Sequence, residues 1–307
     1  MLTAHSLAVI RAGQHASGAY VASPTFSQYG YSWLRDGTWI AYAMDLAGDH
    51  ASASAFYRWV GRALEGQAAR IERLLASLER GETPAEQDYL PTRFTLAGCA
   101  EENSLWWDFQ LDGYGTWLWG AVAHIEQTGD LALWAVLSGA VELTLRYLGA
   151  LWQAPNYDCW EEHRQHIHPA TLAAIYGGLR AVQRLEPARI PAGWPEAIRA
   201  YVLEKAIAPA GHVMKFLGNP VVDASLLWLA CLMACWTSKT RPFSARWNAS
   251  KPTCTALAAA SIATRPTSTM AAASGCCWLP GWAGPMPNWG EQPKPTACCA
   301  GFGRGRG

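Results

Sequence analysis

Apolar residues recur at helical spacing along the first three quarters of the chain, and the alternation expected of strands is nearly absent. Between Asp36 and Ala47 the run DGTWIAYAMDLA sets Trp39, Ile40, Ala43, Met44 and Ala47 on one face of a helix. Gly48 stops that helix, and Asp49 is placed to cap the next one, Ala51–Leu64. The same device returns 81 residues later: a helix over Thr116–Gln127 ends at Thr128-Gly129, and Asp130 opens Leu131–Leu151. Further periodic segments predict helices at Ala4–Gly13, Gln67–Arg80, Pro169–Gln183, Pro195–Ala206 and Val222–Ala230. Helix pairs joined by Gly-Asp turns predict an all-α array, either a solenoid or a closed toroid.

The connections Gly18–Arg35, Gly81–Gly113 and Gln153–His168 are long and hold Tyr29, Tyr31, Trp33, Trp106, Trp107 and Trp160. Loops gathered on a rigid scaffold are where binding chemistry tends to sit. The 17 tryptophans sharpen this picture, because an indole N–H needs a partner when hidden; the surplus suits either flat stacking surfaces or a core of large helices. A net charge of zero argues against a nucleic-acid surface. No apolar run reaches the roughly 18 residues that cross a bilayer. The opening MLTAHSLAVIRAGQ lacks the features of a signal peptide, so a cytoplasmic protein is expected.

Composition breaks near residue 230. Residues 1–230 hold 16 Lys+Arg against 23 Asp+Glu, whereas 231–307 hold 8 against Glu291 alone. Seven of the nine cysteines lie in that second stretch, in patterns that fit neither a zinc site nor a disulfide framework, and helical periodicity stops. A shifted reading frame accounts for this. Back-translation permits PYGLLD near Cys231–Thr237 and GGGEWLLL near Met270–Trp278. The expected organisation is therefore a partial catalytic domain over 1–230 and an aberrant tail over 231–307.

Three stretches carry candidate chemistry. In SPTFSQYGYSWLRDG, aromatics lead into Trp33, Arg35 and Asp36 at a helix start. An Arg–Asp couple beside tryptophan suits a sugar, though Asp36 could equally be a helix cap and Arg35 a simple ion-pair partner. In WWDFQLDGYGTWLWG, Gln110 and Asp112 are polar points among aromatics, and Trp106 precedes the helix; a core stripe is the competing reading. In YDCWEEHR, Glu161 and Glu162 follow Trp160 in a loop. A carboxyl held against indole is poorly solvated when charged and can carry a proton, as a general acid must; an ordinary solvated acidic pair is the alternative. His163, His166 and His168 read as surface or supporting groups rather than metal ligands.

The order and spacing of YGYSWLRD, FQLDGYGTWLW with HIEQTGD behind it, WEEHR and NPVVDASLLWLA resemble glycoside hydrolase family 15, which includes glucoamylases, glucodextranases and some trehalases. The resemblance implies an (α/α)6 toroid of the six-hairpin glycosidase type, of which only the first part is represented. It implies inverting hydrolysis of terminal α-glucosidic bonds, with an α-glucan or α-glucoside as substrate and no metal or organic cofactor. By resemblance Glu161 is the general acid, and Trp33, Arg35, Asp36, Trp106, Cys159, Trp160 and Glu162 contact the sugar, Cys159 through its carbonyl. Inversion also needs a base about 6.5–9.5 Å from the acid. The family's base lies further along its chain, and Glu291 lacks its surroundings, so the 307-residue chain is expected to be inactive. A sugar-binding remnant without hydrolysis and an all-α interaction scaffold stay open as alternatives.

Overall fold

The computed structural model describes residues 2–101 and 109–232. Nine α-helices occur among them: α1 Leu2–Ala12, α2 Leu34–Leu46, α3 His50–Glu65, α4 Ala68–Glu79, α5 Asp112–Thr128, α6 Leu131–Leu151, α7 Pro169–Leu185, α8 Trp194–Lys205 and α9 Leu227–Leu232. One short antiparallel ribbon accompanies them, β1 Ser32–Trp33 on β2 Arg93–Phe94.

Packing sorts the helices into two layers. Helix α5 lies between α2 and α7, and α7 also meets α9, which gives an inner row α2–α5–α7–α9. Helices α3 and α6 pack on each other and cover α2 and α5 from outside, while α8 covers α7. Each hairpin thus contributes one inner and one outer helix; the Gly-Asp turns left solenoid and toroid open, and the layering agrees with the toroid that the family resemblance implied. Those turns work as expected. Gly48 and Gly129 take φ of 82° and 72°, open to glycine at little cost. Asp49 and Asp130 accept the amide N–H of Ser52 and Leu133, capping α3 and α6.

Inner helices are buried almost all round, so their sequences lack a polar face. The seam between α5 and α7 is the tightest: a Cβ at Gly115 would fall 2.5 Å from Ala174 O and Ile175 N, and one at Gly178 would strike the Gly115 carbonyl. Helix α5 begins at Asp112 and not at Thr116, so both of its first glycines lie within the helix. Glycines that lower helix propensity are retained where two backbones touch.

Three further expectations need correction. Asp36 is not a cap; α2 starts at Leu34 with extended Trp33 before it, and Asp36 lies inside the first turn. Helix α9 starts at Leu227 and not at Val222, because the Asp223 side chain takes the Ser225 N–H and forms a 3-10 turn over Ala224–Leu226. Helix α6 is long and apolar enough to cross a bilayer, contrary to the count of apolar runs; half of its most apolar window is buried, against α3, α4 and α5.

The loop entering α7 ends on His168, which is 1% exposed and has Nε2 3.1 Å from the His163 carbonyl oxygen. Burial pushes its pKa down from 6.5 to about 4. The unfolded chain therefore takes up a proton that the folded chain refuses, and His168 removes stability as pH falls from 6.5 towards 4. Between pH 7 and pH 5 this amounts to about 2 kcal/mol. Urea unfolding of His168→Asn at these two pH values is expected to show a smaller acid loss than the parent, by about that amount. Gly115→Ala is expected to lower the unfolding free energy by about 2–3 kcal/mol, since neither backbone at the seam can retreat cheaply.

Candidate active site

All four inner helices begin at the same end of the fold, and the long loops lead into them there. The β1–β2 ribbon fixes the first loop, pairing Trp33 with Arg93 and delivering Trp33, Arg35 and Asp36 to the start of α2. Glu101 ties the neighbourhood together, accepting from Tyr31 Oη at 2.8 Å and from Arg93 Nη2 at 2.8 Å, with the Arg93 guanidinium 3.9 Å above the Tyr31 ring.

Arg35 is buried. Its Nη1 donates to Asp112 Oδ2 and to Gln110 Oε1, both at 2.9 Å, and its Nε lies 3.5 Å from Asp36 Oδ2. Burial alone would lower the guanidinium pKa; Asp112 and then Asp36 outweigh it and hold the charge firmly in place. Asp112 also accepts the Gly113 N–H at 2.7 Å, so the two carboxylates sit at the positive ends of α2 and α5. A small hollow opens over this cluster, lined by Trp33, Arg35, Thr92, Gln110, Asp112 and Tyr114. Gln110 is 2% exposed, and its Nε2 has no hydrogen-bond partner among the described residues.

The third loop is shaped by Asp158. Its Oδ1 accepts the N–H of Trp160 at 3.0 Å and of Glu162 at 2.8 Å, while its backbone N–H donates to Glu162 O and its carbonyl accepts from Glu161 N. This tight turn forces Glu161 to φ 63°, with His163 at 55°, conformations that non-glycine residues seldom adopt and that cluster at functional sites. The turn aims the half-buried Glu161 side chain back across the site, where Oε1 accepts from Trp33 Nε1 at 3.2 Å. Glu161 therefore meets indole through the N–H of Trp33 and not through the neighbouring Trp160, whose own N–H donates to Asp223 Oδ1 at 2.9 Å.

Lys215 anchors the outer side. Its Nζ lies 3.2 Å from Glu162 Oε2, 3.6 Å from Asp223 Oδ2 and 3.8 Å from Asp158 Oδ2. Burial raises Asp158 to about 6, against the pull of the Glu162 N–H and of Lys215. Burial also pushes the Cys159 thiol up, opposed by nearby Arg35. His163 and His166 pack on Phe216, with ring centroids 4.8 and 4.2 Å away, and serve the loop rather than a ligand set.

The arrangement brings together Trp33, Arg35, Asp36, Cys159, Trp160, Glu161 and Glu162. Trp106 lies outside the described residues, as do Glu291 and the whole of 233–307 with its shifted-frame strings. Asp158, Lys215 and Asp223 were missed. Asp158 carried a readable signal, an aspartate two residues before an N–H that its side chain can take. Lys215 carried none, since its partners come from two separate loops.

The family model "Glycosyl hydrolases family 15" matches residues 2–206. The isomaltose glucohydrolase of Kribbella flavida is 44% identical over 234 residues, covering 73% of this chain and 59% of that protein. The trehalase of Mycolicibacterium smegmatis is 26% identical, covering 69% of this chain and 35% of its own length. Among solved structures, a wild-type glycosidase superposes with a TM-score of 0.66 at 44% identity, covering 73% of this chain and 62% of that one. A glycosidase variant in complex with glucose superposes with a TM-score of 0.66 at 43% identity, covering 77% and 63%. The chain thus spans about three fifths or less of the length of these relatives. Since the family model takes in α1 through α8 and every loop that builds this end of the fold except the last, the chain belongs to glycosyl hydrolases family 15.

Proposed function

We propose that residues 1–230 form part of a catalytic domain that hydrolyses a terminal α-glucosidic bond with inversion, with Glu161 as general acid. The 307-residue chain, without its base, binds the glucoside but does not turn it over. The observation that carries the reading is the Glu161 carboxyl, held in a left-handed backbone conformation and aimed at Trp33 beside the buried Arg35 cluster. With Oε1 engaged by the Trp33 N–H, the other oxygen carries the proton to the glycosidic oxygen as the C1–O bond breaks. Water attacks C1 from the opposite face as a base outside the described residues takes its proton. Trp33 and Trp160 border the sugar, Arg35, Asp36 and Glu162 take its hydroxyls together with the Cys159 carbonyl, and Trp106 is assigned to the same pocket.

We assign no base among the described residues at this end of the fold. The carboxylates around Glu161 are already held by cations, Asp36 and Asp112 by Arg35, and Asp158, Glu162 and Asp223 by Lys215. Protonation and water attack call for no cofactor. The isomaltose glucohydrolase, at 44% identity, makes isomaltose the first substrate to test.

In a full-length, frame-corrected enzyme that carries the base, parent and Glu161→Gln are compared on isomaltose, with the anomer of released glucose read by proton NMR, and on α-glucosyl fluoride, whose leaving group needs no proton. The expected result is β-glucose first, a loss of about 10²–10⁴-fold for Glu161→Gln on isomaltose, and a much smaller loss on the fluoride. Equal turnover of isomaltose by parent and variant, equal losses on both substrates, or binding by the parent without hydrolysis, would overturn the proposal.

A further inference from the structure

At the opposite end of the inner row, where α2 and α5 finish, lies a second cluster of chemically capable side chains. Asp45 is 2% exposed and sits one residue before the end of α2. His124, 1% exposed and in the last part of α5, has Nδ1 2.9 Å from both Asp45 carboxylate oxygens. His50, in the first turn of α3 and partly exposed, has Nδ1 2.9 Å from Asp45 Oδ1.

A buried carboxylate needs its charge matched. Among the described residues, buried Asp36, Asp88, Asp112 and Asp158 each lie near an arginine or lysine. Asp45 has only the two imidazoles as ionic partners among the described residues. The negative ends of α2 and α5 point at the same spot and add to the unmatched charge.

We infer that Asp45, His50 and His124 form a binding site for a divalent transition ion, with Zn²⁺ the best match. One carboxylate and two neutral imidazoles are a donor set that zinc favours. The three ligand atoms lie within 4.8 Å of one another. Ligand atoms around four-coordinate zinc are separated by about 3.3–3.5 Å, so the 2.9 Å contacts need open by only a few tenths of an ångström. With Nδ1 on the metal, each neutral imidazole carries its proton on Nε2, while Asp45 supplies a carboxylate oxygen.

The surroundings are built as such a site requires. The other nitrogen of His124, Nε2, lies 2.9 Å from Ser54 Oγ, which orients the ring and can accept an Nε2–H while Nδ1 holds the metal. Gln127 Nε2 donates to Asp45 O at 3.1 Å, and Thr128 Oγ1 donates to His124 O at 2.7 Å, so the ligand-bearing backbones are tied together. His50 leaves an open side through which the ion enters and a water completes the shell. The site ties α2, α3 and α5 at the end remote from Glu161, so its role is to staple the two layers.

The full chain, stripped with EDTA, is titrated with Zn²⁺ by equilibrium dialysis and then melted with and without it, alongside His50→Gln. The expected result is one equivalent more in the parent than in the variant, and a Zn²⁺-dependent rise in melting temperature confined to the parent. Cysteines elsewhere in the chain offer rival sites, so the equivalent lost in His50→Gln is examined with Co²⁺: it contributes visible d–d bands without thiolate charge transfer. Ser54→Ala, which keeps all three ligands, is expected to weaken Zn²⁺ about 10–100-fold. Equal stoichiometry and equal melting shifts in parent and His50→Gln, thiolate bands in the lost equivalent, or unchanged affinity in Ser54→Ala, would overturn the inference.

Discussion

A guanidinium taken out of water must have its charge met at close range, and Arg35 is met by Asp112 across the junction of α2 and α5. Losing one partner of such a buried pair typically costs about 3–5 kcal/mol, because the other charge stays behind unmatched. The pair therefore fixes where two inner helices start relative to each other. Gln110 joins it through the same Nη1, and Asp36 approaches from within α2 itself. The first loop is held to this point by the ribbon at Trp33 and the second by Asp112, so the rest of the site is assembled around one fixed cation.

The third loop reaches the site by a different route. Asp158 folds its own turn and in doing so places Glu161 in a backbone conformation worth about 1–3 kcal/mol of strain. That strain is tolerated because neighbouring contacts fix the turn from several sides: the two N–H donors to Asp158, Lys215 at its rim and the Trp160–Asp223 bond. A helix would have held a glutamate more cheaply, but its side chain would follow the helix surface. A left-handed residue in a tight turn projects across the opening to Trp33. The two ends of the inner row divide the work in this reading, with helix starts carrying the carbohydrate chemistry and helix ends gathering Asp45 and its imidazoles.

Much of the fold was legible in sequence because local signals and packing agree. Gly48 with Asp49, and Gly129 with Asp130, stop one helix and start the next by backbone chemistry alone, so the helix pairs could be read from sequence. Legibility fails where tertiary contact overrides local preference. The helix predicted from Thr116 starts at Asp112, so Gly113 and Gly115 lie inside α5, where Gly115 lets α7 approach. The grouping of Trp33, Arg35, Asp36 and Glu161 at one end was visible through motif order, whereas the partners were not. Arg35 reads as a hydroxyl clamp or an ion-pair partner, but the sequence did not name Asp112 as that partner, and Glu161 meets the indole of Trp33, 128 residues before it. Lys215 joins residues from two loops and leaves no mark in either.

That the Arg35 end of the inner row is a glucosyl-binding site is the claim on which the functional reading rests. Calorimetric titration of isomaltose into the parent and into Arg35→Lys, with the thermal melt of each recorded alongside, tests it most directly. Lysine keeps the charge but cannot present a guanidinium's fork, so saturable binding in the parent is predicted to fall by about tenfold or more in a folded variant. Equal affinity in the two proteins, or no binding by the parent, would contradict it.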